Sequence, residues 1–190
     1  MKLIIAFLPW ILFGALSHPY PKAALIVALA ATAIQVIAHI RRPKILEVVS
    51  FAFFVFSLMA LFVWHWSRFG HHLGLIVHLL LATVAWGSLF AGIPFTLQYA
   101  REEVPSERWH DPLFIRTNQW ITVVWGTDFL LQAVVLEWQA TAGGALPGAI
   151  GITMTACSLL FTILYPMRTR RLARLKAEVS RRSRSGSRIG

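Results

Sequence analysis

Apolar residues in this chain fall in long blocks rather than at the spacing of an amphipathic helix on a soluble core. Six blocks can be read, at about 3–16, 23–40, 48–64, 73–97, 117–136 and 145–167. Polar and turn-forming residues separate them. Pro19 and Pro21 flank Tyr20; Arg41, Arg42, Pro43 and Lys44 make a basic turn; 67–72 is polar; 101–116 is the longest hydrophilic stretch; and Gly143, Gly144, Pro147 and Gly148 loosen the last connection. Blocks of this kind are the signature of bilayer spans. Lipid offers no partners to backbone N–H and C=O groups, so a spanning segment is a helix or part of a closed barrel. Barrel strands alternate apolar and polar residues over about ten positions. These blocks do not alternate. The pattern predicts an all-α fold, a polytopic transmembrane bundle of about six spans.

The first block is short, about fourteen residues where a full span takes roughly twenty, and it contains Pro9. It reads as a tilted or re-entrant anchor, with a cleaved signal peptide as the alternative, because Ala15 and Ser17 are small. Composition strengthens the membrane reading. Of 190 residues, 57% are hydrophobic and 14% charged, with mean hydropathy +0.64, whereas soluble domains carry about 25% charged residues.

Charge then sets the expected orientation. The net charge is +10, but nine of the eighteen Lys and Arg lie beyond Met167. With both termini cytoplasmic, sixteen of the eighteen fall on the inside and only Lys22 and Arg68 outside. That alternation follows the positive-inside rule and places the chain in a bacterial inner membrane, as a bundle at 1–167 with a basic cytoplasmic tail at 168–190. Tyr20, Trp64, Trp66, Trp109, Trp138 and Tyr165 sit near block ends, where amphipathic rings favour the headgroup level.

The tail opens with Leu172, Leu175 and Val179 on one helical stripe, surrounded by Arg170, Arg171, Arg174 and Lys176. This suits a helix on an anionic cytoplasmic leaflet. From Arg181 the chain is rich in Ser, Arg and Gly and is expected to be disordered. Anionic lipids and other membrane proteins, or further copies of the chain, are the expected partners; nucleic acid is not.

Asp128 is the most informative single position. It lies near the middle of the fifth block, where a charge costs at least ~2.5–3.5 kcal/mol. Gln132 and Trp125 share its helical face, and Thr117, Asn118 and Thr122 continue the polar positions. One reading is a proton or ion site, with Gln35 of the second block contributing. The plainer one is an Asp hydrogen-bonded between helices or paired to a neighbouring chain. His65, His71, His72 and His78, with His18, gather on the outer side, but without metal-ligand spacing, so neither a metal nor a cofactor is predicted. An intramembrane haem or metal protein is the third reading. Cys157 is the single cysteine and reads as a small packing residue. Glu102, Glu103, Glu107 and Asp111 alternate with Arg101, Arg108 and Arg116, as on a solvated surface. No G-x-S-x-G, Walker or G-x-G-x-x-G motif is present, so no catalytic residues are assigned.

Three stretches carry a family resemblance. Phe7-Leu8-Pro9 after Met1-Lys2, Pro112 through Trp125 with Phe114, Arg116 and Asn118, and Gly151-Ile152-Thr153 followed by Phe161-Thr162 resemble the bacterial intracellular septation protein A family. The resemblance implies a non-enzymatic inner-membrane protein of envelope maintenance or division, acting through helix–helix contacts with partners. It implies no active residues.

Overall fold

The computed structural model describes residues 2–17, 20–142 and 146–186, and among these there is no strand. Two short helices open the chain, α1 (Lys2–Ala6) and α2 (Leu8–Ser17), meeting at Phe7. Helix α3 (Pro21–Ala38) has proline in its first turn, where the missing N–H leaves no bond unmade. Helix α4 (Ile45–Leu58) widens into a π turn at Met59–Val63. It closes on His65 at φ 50°, with Trp66 N–H donating 2.8 Å to the Ala60 carbonyl. Next come α5 (Ser67–His71), α6 (Leu73–Phe90), α7 (Phe95–Ala100), two 3-10 turns, α8 (Pro112–Ala142) and α9 (Leu146–Gly186).

Among the described residues, five helical stretches are long and apolar enough to cross a membrane: Pro21–Ala38, Ile45–Val63, Leu73–Phe90, Pro112–Thr141 and Gly148–Leu172. The opening segment is not among them. Leu8–Ser17 is apolar but short, and it is built into the core: Ala6, Phe7, Trp10 and Phe13 are all buried. Phe7 stacks on Trp125 with centroids 4.7 Å apart, and Trp10 packs on Phe53 and Phe54.

The fourth apolar block ends earlier than expected. Instead of running to Leu97, helix α6 stops at Phe90, and Gly92 turns the chain at φ 74°. Gly tolerates that left-handed conformation at no steric cost, and Pro94 cannot continue the helix. Ser88 fixes the turn, its Oγ accepting from Phe95 N–H at 3.0 Å. Residues 95–100 then fold back as α7, with Phe95, Thr96, Leu97 and Tyr99 buried.

Helix α8 is the hub, packing on α6, α9 and α7. It comes close to α6 at Gly126, where an added Cβ would lie 2.8 Å from Trp86 Nε1 and 3.2 Å from Ala85 Cβ. Small residues let membrane helices approach in this way. Helix α9 lies at the edge: 11% of its spanning residues are buried, against 44% for α8. Its helical geometry continues through Gly186, beyond Arg181, where disorder was expected.

Candidate functional site

Several polar side chains of α8 reach neighbouring helices. Trp125 Nε1 donates to Thr162 Oγ1 at 2.9 Å. Asp128 is 4% exposed, and its carboxyl is hydrogen-bonded to the Ser158 hydroxyl. Gln132 Nε2 donates to the Gly151 carbonyl at 2.7 Å and to Thr155 Oγ1 at 2.8 Å. Nearer the charged loop, Thr96 Oγ1 donates to the Asn118 carbonyl at 3.0 Å and lies 2.8 Å from Thr122 Oγ1, which ties α7 to α8. Asn118 spends its Nδ2 on the Phe114 carbonyl of its own helix.

The four residues singled out as an intramembrane polar site therefore do not converge. Asp128 and Gln132 both face α9, and Asn118 lies beside α7. Gln35 is engaged elsewhere: its Nε2 donates 2.7 Å to the Ile5 carbonyl, and its Oε1 is buried without a partner. An open groove of about 560 Å³ runs between α8 and α9, lined by Trp120, Thr127, Asp128, Thr153, Cys157 and Ser158 among apolar residues. Cys157 is exposed there, not packed in the interior.

A second polar constellation sits at the end of the bundle bearing the 101–111 loop. Glu47 is 2% exposed at the start of α4. His39 Nδ1 lies 3.0 Å from its Oε2, and Lys44 Nζ lies 3.8 Å from its Oε1. Lys44 also reaches Glu102 Oε1 at 2.9 Å, and Lys2 Nζ holds Glu102 Oε2 at 3.0 Å. The Lys44 ammonium stands 4.5 Å from the Tyr99 ring centroid, a cation–π contact. Two ammonium groups, one imidazole and two carboxylates thus join α1, the end of α3, the start of α4 and the turn after α7.

The surroundings tune these groups. Burial acts to raise Glu102, but hydrogen bonds and charge from Lys44 and Lys2 outweigh it and hold the carboxyl below its ordinary value. Burial, with Glu47 and Glu102 nearby, pushes the Tyr99 phenol well above its usual range, so it stays neutral. Its hydroxyl is buried without a hydrogen-bond partner among the described residues.

Sequence reasoning missed this cluster. Glu47 falls just before the third apolar block, and Glu102 reads as surface. The available signal was Lys44-x-x-Glu47, which puts opposite charges on one face where a span begins. On the opposite side, His71 Nδ1 donates to the Ser67 carbonyl and His78 Nδ1 to the Gly74 carbonyl. Among the described residues no three His, Cys, Asp or Glu side chains gather as metal ligands. His18 lies outside the described residues.

No family model, curated protein or solved structure matches the chain.

Below the 101–111 loop lies a cavity of about 300 Å³, walled by α1, α7, α8 and α9. Leu3, Phe114, Ile121, Ile163 and Met167 form its apolar part; Thr96, Thr117 and Asn118 are its polar patch; and Glu103, Arg108, Asp111 and Arg170 surround it.

Proposed function

We propose that the chain is a multi-pass protein of the bacterial inner membrane, with both termini cytoplasmic, working without catalysis in envelope maintenance or division. In this reading it acts through helix–helix contacts with partner membrane proteins or with further copies of itself. The supporting observation is the use of polar side chains within α8. Trp125, Asp128 and Gln132 each spend their hydrogen bonds on α9, as in a packed assembly. Helix α9 then turns Ile152, Leu160 and Leu164 outward, toward lipid or another helix. The residue resemblance to septation proteins supports the envelope role.

The orientation has a direct test. A reporter inserted near Glu103 and one fused after Gly190 are expected to read cytoplasm, and one in the Gly143-Gly144 turn the opposite side. A cytoplasmic signal from Gly143 would refute the six-span arrangement.

Asp128 supplies the second reading, a small proton- or ion-coupled carrier, because its residue lines the open groove as well as touching Ser158. Two substitutions separate the readings. Asp128→Asn keeps a partner for Ser158 but cannot ionise, and Asp128→Leu removes the bond. For a packing role, Asn is expected to keep detergent stability and to complement an envelope-stress phenotype of the deletion strain. Leu is expected to lose about 0.6–2 kcal/mol, the worth of one interhelical hydrogen bond. A stable but inactive Asn variant would transfer the function to the carrier reading.

A further inference from the structure

The cavity beneath the 101–111 loop has the makings of a ligand site that the helix-packing role does not use. Its volume, about 300 Å³, is at the small end of ligand pockets, which run roughly 300–1,000 Å³. That is room for a headgroup and the start of one chain. The lining has both apolar and polar parts. Leu3, Ile121, Ile163 and Met167 offer hydrocarbon, while the charged side chains come from the loop and from α9 at Arg170.

The charges are not equivalent. Glu103 Oε1 accepts from Lys2 N–H at 2.6 Å, and Asp111 Oδ1 accepts from Leu113 N–H at 2.9 Å at the start of α8. Both carboxylates are committed within the fold. Arg108 and Arg170 are exposed and form no ion pair among the described residues. The uncommitted charge around the cavity is therefore positive, and guanidinium forks match phosphate geometry.

Pro166 shapes the far wall. It lies inside α9 and lines the cavity, and it has no N–H to give the carbonyl of Thr162, four residues earlier and also in the lining. A proline inside a helix bends it, and here it leaves an acceptor beside the cavity. Tyr99, whose hydroxyl has no partner, completes the polar side.

We propose that this cavity binds an anionic phospholipid, with its phosphate between Arg108 and Arg170 and the first part of one acyl chain against Ile121, Ile163 and Met167. A hydroxylated headgroup, such as that of phosphatidylglycerol, also offers donors to the free acceptors of the wall. The proposal rests on the chain lying in a bilayer with the 101–111 loop at a headgroup surface. It does not depend on a role in the envelope.

The test is native mass spectrometry of the purified full chain, delipidated and then titrated with phosphatidylglycerol or phosphatidylcholine. Thermal unfolding in the same detergent checks each variant's fold. Wild type is expected to retain one phosphatidylglycerol in preference to phosphatidylcholine. Arg108→Gln with Arg170→Gln is expected to weaken that retention at least about tenfold, the scale of lost charge-assisted hydrogen bonds. Arg41→Gln with Arg42→Gln removes equal charge from an exposed turn outside the cavity and is expected to leave retention within about twofold. Equal losses in the two double variants would reduce the effect to general surface charge and overturn the site, as would equal retention of phosphatidylcholine. Competition by glycerol 1-phosphate at lipid-like concentrations would overturn the lipid in favour of a soluble phosphate. Both cavity arginines are exposed side chains, so the double variant is expected to melt with wild type; the single substitutions, each weakening retention in part, give an independent reading.

Discussion

Lys44→Met is expected to destabilise the bundle by roughly 3–5 kcal/mol, the cost of removing one partner from a buried ion pair. Lys44 and Glu47 are 5% and 2% exposed at their side chains. Without the ammonium, Glu47 keeps the His39 imidazole beside it, and Glu102 keeps Lys2. The cation–π contact with Tyr99 goes as well. The penalty comes mostly from an uncompensated carboxylate, so removing that carboxylate too is expected to recover much of it: Lys44→Met with Glu47→Leu is expected to be more stable than Lys44→Met alone. Thermal unfolding of the four proteins in one detergent closes the cycle. Additive losses would mean that the two side chains do not depend on each other.

Trp10→Ala is expected to cost about 3–5 kcal/mol, as large core truncations do when the cavity cannot collapse. The indole packs between α2 and α4, with ring centroids 4.7 Å from Phe54 and 5.5 Å from Phe53, and Nε1 donates to the buried Ser50 Oγ at 2.8 Å. Trp10→Phe is expected to keep most of the packing and lose about 0.5–1.5 kcal/mol with the hydrogen bond. Ser50 already donates to the Leu46 carbonyl, so its hydroxyl is not orphaned. A loss under 1 kcal/mol for the Ala variant would recast the opening segment as a peripheral anchor.

The helices were legible because backbone satisfaction in an apolar solvent leaves so few options. Asp128, Gln132 and Trp125 were legible as one face for the same reason, since 3.6-residue geometry puts positions three and four apart together. What they face was not. Nothing in local spacing announces that Ser158 and Thr162 stand opposite, because those contacts join positions thirty or more residues apart. The break at Gly92 was obscured by apolar residues on both sides, Phe90 and Ile93 before Phe95 and Leu97, which extend the block through a turn. The Glu47 cluster was hidden for a different reason. Its members come from Lys2, His39, Lys44 and Glu102, and each is unremarkable among the neighbours of its own loop. Only the packing of α1 and α7 brings those loops together around the buried Lys44 and Glu47.

The contacts between α8 and α9 behave as a key with one cut. Three rungs run in antiparallel order, Trp125 to Thr162, Asp128 to Ser158 and Gln132 to Thr155. A slip of α9 by one helical turn, about 5.4 Å, changes every pairing by four residues. In one direction Asp128 gains Thr162, but Trp125 meets Pro166 and Gln132 meets Leu159. In the other direction Trp125 gains Ser158 and Gln132 stays beside Gly151, but Asp128 meets Met154. Neither neighbouring register satisfies all three rungs, so sliding is suppressed.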